Sequence, residues 1–224
     1  MTHILVSNDD GYKTSGLQAL VAELSQISDV TVVAPLENRS ASSSSLLVDK
    51  LIRVTKVDKS TFSVDGTPAD CVHIALTALL GIEPDIVVSG INNGANLGDD
   101  IIYSGTVGAA IEGRFLKNPA IAVSIAGDNP IDYAPAAKLA ASLVKILRSM
   151  SISSKFILNV NVPNLKKEDI RGILITITMI LIILLAVKLA KYIIRNGIFD
   201  RYTTGMSQTK LTAIPGTQGG SESF

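Results

Sequence analysis

The stretch Asn8-Asp9-Asp10-Gly11 follows an apolar run, Ile4 to Ser7, and sets two carboxylates side by side. Adjacent like charges raise each other's pKa and cost stability unless a cation lies between them. Two readings compete for such a pair: a bound metal, or an Asx-turn that closes a strand with Gly11 at positive φ. As ligands, Asp9 and Asp10 offer hard oxygens of the kind magnesium, manganese and calcium prefer. A serine hydroxyl and an asparagine carbonyl are further hard oxygens that add no charge. Ser40 and Asn92 supply one of each, both just after other apolar runs. Two carboxylates with two neutral oxygens leave positions on a divalent cation for water and substrate. Such a cation polarises a phosphoryl oxygen and lowers the pKa of a bound water.

Two further stretches suit an anion. GINNGANLGDD, residues 90–100, combines three glycines with three asparagines, so that backbone N–H groups and amides are exposed. Ser104, Gly105 and Thr106 then stand at a helix start, where free N–H groups and the helix dipole favour phosphate. A glycine-rich loop on its own is equally an ordinary surface turn; its position beside candidate metal ligands is what singles it out. Other chemistry-bearing residues read as structural. His73, inside CVHIAL, is expected to be a core histidine, and Cys71 a small buried hydrophobe. Asp99 and Asp100 are expected to be solvated, and the serine run 42–45 to form a flexible loop or lid over the site.

These residues have to be positioned by the elements around them, which alternate as strand and helix in the order of a parallel sheet. Strands are expected at Ile4–Ser7, Val30–Ala34, Asp85–Ser89, Ala120–Ser124 and Phe156–Val162. A hairpin is expected over Ile52–Val57 and Thr61–Val64. Leu17, Leu20, Val21 and Leu24 recur at helical spacing. A helix over Ala69–Leu80 opens with Thr67 as N-cap and Pro68 at its first position. Another helix starts near Gly105, and a long amphipathic one covers Tyr133–Met150. The implied architecture is an α/β, doubly wound, mostly parallel sheet, in which ligands sit at the carboxyl ends of the strands. The loops carrying Asp9, Asp10, Ser40 and Asn92 all lie at that edge.

Composition narrows the classes. The chain has 224 residues, 47% of them hydrophobic, enough for one large α/β domain. Twenty basic and twenty acidic side chains cancel, so no global field draws the protein to nucleic acid. A single cysteine precludes an internal disulfide and fits a reducing, cytoplasmic compartment. The first residues carry no signal-peptide pattern. GxxxxGK[ST], GxGxxG after the first strand, GxSxG and a zinc-type histidine cluster are all missing from the sequence.

NDDGY at 8–12, ENRS at 37–40, VDGTPADCVHIAL at 64–76, SGINNGANLGDDIIYSGTVGAAIEG at 89–113 and NVNVPNL at 159–165 resemble the stationary-phase survival protein SurE family. The resemblance runs in consistent order from about Ile4 to Ile175. It implies a Rossmann-like core and a divalent-metal-dependent phosphatase for nucleoside 5′- and 3′-monophosphates, with short polyphosphate as a further substrate of some members. It also implies a cytoplasmic homodimer or homotetramer holding one Mg²⁺ or Mn²⁺ per subunit. Carried over by motif, the metal ligands fall on Asp9, Asp10, Ser40 and Asn92, with Asp9 and Asp10 also catalytic. The phosphate-facing groups fall on Asn96, Ser104, Gly105 and Thr106.

The C-terminus departs from the family. Residues 1–175 form the expected phosphatase domain, but 176–202 are an atypical hydrophobic segment and 203–224 a polar tail of disordered composition. Gly172 to Val187 run sixteen residues without a charge. That is slightly short of the roughly 20 that a spanning helix needs. A frameshifted end, a membrane anchor and an oligomerisation helix compete as explanations, and the abrupt onset in mid-strand favours the first. Replacement of the family's arm also leaves a nucleotide-binding protein impaired in turnover as the alternative to an active enzyme.

Overall fold

The strand β1, His3–Ser7, shows why a sheet forms with helices on both faces. Ile4 and Val6 point to one side and Leu5 to the other, and all three are fully buried. The same alternation recurs in β5, Ile86–Asn93, where Ile86 and Val88 share one face and Val87 takes the other. Strands buried on both faces read as continuous apolar runs and belong at the centre of a parallel sheet.

A computed structural model describes residues 2–127, 132–150, 152 and 156–176. Besides β1 and β5, the strands are β2 (Asp29–Pro35), β3 (Val54–Lys56), β4 (Thr61–Val64), β6 (Ala120–Ala126) and β7 (Ile157–Pro163). They form one seven-stranded sheet in the order β3-β4-β2-β1-β5-β6-β7. Every pairing is parallel except the β3–β4 hairpin. The chain winds outward from β1 in one direction and from β5 in the other, so the topological switch lies between these two neighbours. Crevices for ligands open at such a point.

Helices α1 (Ser15–Leu24) and α5 (Ala134–Ser149) cover one face, where Leu17, Leu20 and Leu24 pack with Ala136, Ala140 and Val144. Helices α2 (Pro68–Ile74) and α4 (Gly105–Glu112) cover the other, through Cys71, Val72, Val107 and Ala110. Cys71 is buried there, as a small hydrophobe would be.

Helix α2 opens with Thr67 as N-cap and Pro68 at its first position, as expected. The Thr67 hydroxyl accepts from the Asp70 N–H, and the Asp70 carboxylate accepts from the Thr67 N–H, making a reciprocal capping box. After Ile74 it widens into a π turn, Ala75–Leu79. The third core strand also outruns its expected end at Ser89. It continues to Asn93, so Asn92 stands within β5, in register with Ser124 of β6. A short helix α3, Asp100–Tyr103, precedes α4. His73 is exposed rather than in the core. Its Nδ1 lies 2.8 Å from Glu112 Oε1, which ties α2 to α4 at the surface.

The compact unit formed by these elements ends at Leu174. The hydrophobic segment at 176–202, beyond Thr176, and the polar tail at 203–224 lie outside the described residues. Among the described residues no helix is long and apolar enough to cross a membrane.

Leu20, fully buried where α1 meets α5 and the sheet, tests the packing on that face. Leu20→Ala is expected to lower unfolding free energy by about 2–5 kcal/mol, the range for truncating a core leucine, in urea titrations followed by circular dichroism.

Candidate functional site

Asn8 shapes the turn that presents the two carboxylates. Its Oδ1 accepts from the Gly11 N–H at 3.2 Å, while its Nδ2 donates to the Gly11 carbonyl at 2.9 Å and to Thr14 Oγ1 at 3.0 Å. Gly11 sits at φ +106°, a conformation that side chains resist. The turn reading of NDDG is therefore correct as far as Asn8 and Gly11 go. It leaves Asp9 and Asp10 free for other work.

Asp9 is 5% exposed and faces the start of α4. Thr106 Oγ1 donates to Asp9 Oδ1 at 2.5 Å. Burial pushes the Asp9 carboxyl above the ordinary range; the Thr106 hydroxyl and the N–H groups of Asp9, Thr106 and Gly105 oppose that push. The helix start expected to receive an anion thus already has one beside it, and it is a side chain. Gly105 makes the approach possible: a Cβ there would come within 2.6 Å of Ser42 Oγ and 2.8 Å of Asp9 Cβ. Ser104 is the N-cap of α4, its Oγ accepting from the Val107 N–H at 3.1 Å.

Asp10 is less buried and turns the other way. The Asn93 N–H donates to its Oδ2 at 3.4 Å. Burial, and then the Asp9 charge, push the Asp10 carboxyl up to about 6. Among the described residues no lysine, arginine or histidine pairs with either carboxylate.

Ser40 comes to this edge because the Arg39 N–H donates to the Asp9 carbonyl at 2.7 Å, tying the loop after β2 to the turn after β1. The Ser40 N–H and hydroxyl both bond Asn38 Oδ1, at 2.8 and 2.6 Å. Asn92 donates its Nδ2 to the Gly94 carbonyl at 2.9 Å, which leaves its side-chain oxygen as the available group. Asp9, Asp10, Ser40 and Asn92 thus stand on three segments held to one another by hydrogen bonds. Their donor set is all oxygen and carries two negative charges that no side chain among the described residues balances, which suits a hard divalent cation.

Asn96 is buried, and its contacts run inward. Its N–H donates to Asn161 Oδ1 and its Nδ2 to Ser124 Oγ, both at 2.8 Å, while its carbonyl accepts from Asn159 Nδ2 and Asn161 Nδ2. In this arrangement Asn96 anchors the glycine-rich loop to β6 and β7. The serine run likewise docks rather than hanging loose: Ser43 bonds the Tyr103 and Ile102 carbonyls, and Thr67 Oγ1 donates to the Ser45 carbonyl. Asp99 and Asp100 are exposed, as expected.

Four supporting residues were not foreseen in the sequence: Asn8, Asn38, Asn159 and Asn161. The last two carried a signal, because NVNV puts both asparagines on one face of a strand that otherwise reads as core.

Comparison with known proteins places the chain among relatives of one family. Residues 4–180 match the sequence model of the family described as Survival protein SurE. The chain is 53% identical over 170 residues to the 5′-nucleotidase SurE of Methylococcus capsulatus, covering 76% of this chain and 68% of that protein. It is 56% identical over 174 residues to the 5′-nucleotidase SurE of Legionella pneumophila strain Philadelphia 1, covering 77% and 68%. Among solved structures, the SurE protein from Aquifex aeolicus superposes with a TM-score of 0.73 at 44% identity, over 78% of this chain and 71% of that one.

The raised Asp10 carboxyl has a measurable consequence. Its folded value of about 6 exceeds the ordinary 3.8, so the folded chain binds that proton more tightly than the unfolded chain. The stabilisation is whole below about pH 3.8 and is lost as pH rises through 6. With EDTA present, Asp10→Asn is expected to exceed wild type in stability by on the order of 1–2 kcal/mol at pH 7.5. The difference is expected to close below pH 4, as read by denaturant titration. Mn²⁺ is expected to raise the Tm of wild type and not of the variant.

Proposed function

This chain belongs to the survival protein SurE family, and we propose that it is a divalent-metal-dependent phosphomonoesterase that hydrolyses nucleoside 5′-monophosphates to nucleoside and phosphate. The observation that carries the reading is the Asp9–Asp10 pair at the switch of the sheet. It is two carboxylates raised by burial, with no cationic side chain of their own among the described residues. Charge left unbalanced at a ligand-binding edge is retained for a ligand.

In this reading Asp9, Asp10, Ser40 and Asn92 hold one Mg²⁺ or Mn²⁺. Such an ion supplies positive charge against the phosphoryl oxygens and acidifies water at neutral pH. The chain supplies the rest. Thr106 fixes the Asp9 carboxylate through its hydroxyl, so that the ligand does not reorient during turnover. The start of α4 at Ser104, Gly105 and Thr106 lies beside Asp9 and, through the Gly105 and Thr106 N–H groups, steadies that carboxylate as a charge next to the bound phosphoryl group. Asn96 keeps the neighbouring loop in place and has its side-chain carbonyl left for the substrate. Because recognition centres on the phosphate, 3′-monophosphates and short polyphosphate fit the same groups as secondary substrates.

Phosphate release from 5′-AMP with Mn²⁺, and again with EDTA, tests the proposal. Release is expected only with the metal. Asp9→Asn is expected to fold normally by circular dichroism and to lose activity by at least about 100-fold, as for removal of a charged group from a catalytic centre. A variant turning over near the wild-type rate would sink the ligand assignment. Metal-dependent nucleotide binding without release would establish the impaired binding protein instead.

A further inference from the structure

The two carboxylates divide the space around them unequally. On the Asp9 side, Ser42, Pro68 and the start of α4 close in around Gly105, so that even a methyl group there would meet Pro68 Cγ at 3.0 Å. That side is filled by the chain itself. On the Asp10 side a cleft of about 350 Å³ opens, lined among others by Asp10, Lys13, Asn38, Ile91, Asn93 and Tyr133. Small-molecule sites begin at roughly 300 Å³ and combine apolar walls with a few polar groups.

We propose that this cleft is the subsite for the leaving half of the substrate, a nucleoside, with Tyr133 as its wall and Lys13 as its specificity-determining cation. The inference rests on the phosphomonoesterase reading and specifies where its nucleoside goes. Tyr133 is the N-cap residue of α5, so its backbone is fixed by a helix that packs on the core. Its ring is set against Gly16 at the start of α1. A Cβ on Gly16 would lie 3.0 Å from the ring and 2.3 Å from the Ile91 carbonyl. Glycine at 16 therefore lets α1, Ile91 and the ring close up into one continuous wall. An aromatic face held this firmly offers a base or ribose a stacking surface at little cost in side-chain entropy. Lys13 Nζ lies 5.3 Å from the centroid of the Tyr12 ring, which holds the ammonium near the cleft by a cation–π contact. From there it reaches ribose hydroxyls or base carbonyls. Asn38 and Asn93 add polar groups along the wall, and both are tied to candidate metal ligands, Ser40 and Asp10. The cleft thus begins at the candidate metal ligands themselves.

The test compares kcat/KM for 5′-AMP with that for methyl phosphate, which has no nucleoside, in wild type, Tyr133→Phe, Tyr133→Ala and Lys13→Ala. The 5′-AMP to methyl phosphate ratio is expected to fall at least tenfold in Tyr133→Ala, through KM, and about threefold in Lys13→Ala. Tyr133→Phe is expected to restore most of it. A ratio unchanged in Tyr133→Ala would overturn the subsite, because a purely structural defect lowers both substrates alike. Binding of adenosine to EDTA-treated protein, followed by NMR chemical shifts, reads the subsite without any turnover. If wild type releases no phosphate from either substrate, the phosphatase reading fails. Adenosine binding that is lost in Tyr133→Ala would still support the subsite, and no binding to wild type would overturn it.

Discussion

Repulsion between Asp9 and Asp10 is the interaction around which this end of the molecule is built. Each carboxylate is partly removed from water and Asp10 also feels the Asp9 charge, yet neither has a cationic side chain as partner among the described residues. The structure offsets the Asp9 charge with dipoles: the start of α4, the Thr106 hydroxyl, and backbone N–H groups. This arrangement dictates much else. Gly105 has to lack a side chain for the helix to approach so closely, and Gly108 has to lack one because a Cβ there would lie 2.2 Å from the Ser43 carbonyl. The serine loop is then pinned against α3 and α4, and with it the segment carrying Ser40. A fixed dipole stabilises a carboxylate without neutralising it, so the site keeps its net negative charge for a cation.

Those parts of the fold that follow from hydrophobic pattern were legible in the sequence. Ile4, Leu5 and Val6, or Ile86, Val87 and Val88, could only be central strands once helical patterns flanked them, and the parallel order followed. Thr67-Pro68 marked a helix start because the capping residue and the missing N–H of proline both belong there. The convergence of Asp9, Asp10, Ser40 and Asn92 came from topology, since loops at the carboxyl edge of a doubly wound sheet are neighbours whatever their separation in sequence.

What stayed hidden depended on partners far along the chain. Nothing local distinguishes Asn96, whose backbone N–H and carbonyl are both held by side chains of β7, from Asn92, whose side-chain amide closes a turn on Gly94. The difference is made by Asn159 and Asn161, more than sixty residues away. His73 lies within an apolar run and reads as core, but the turn of α2 places it outward, against Glu112. The serine run looks solvated by composition. Its anchoring depends on the carbonyls of Ile102 and Tyr103, which a helix end leaves unpaired. The division of the site into a closed side at Asp9 and an open side at Asp10 is a matter of packing volume, which no motif encodes.

Buried polar atoms show how far the molecule departs from simple burial at this edge. Ser7 and Ser89 are register partners on β1 and β5, fully buried, and their hydroxyls make no hydrogen bond among the described residues. Ser42 Oγ, Arg39 Nε and Asn159 Oδ1 share that property. All five belong to residues that support or adjoin the candidate ligands, although polar groups without partners are rare in folded proteins and each costs about 1–3 kcal/mol. Such a cost gathered at one sheet edge fits selection for a function other than stability. An edge assembled for stability alone would replace Asp9, Ser7 and Ser89 with apolar residues, and the parallel order of the sheet would not change. The strands fix the fold; the polar atoms at their carboxyl ends, held in place against their own preference for water, are what give it a site.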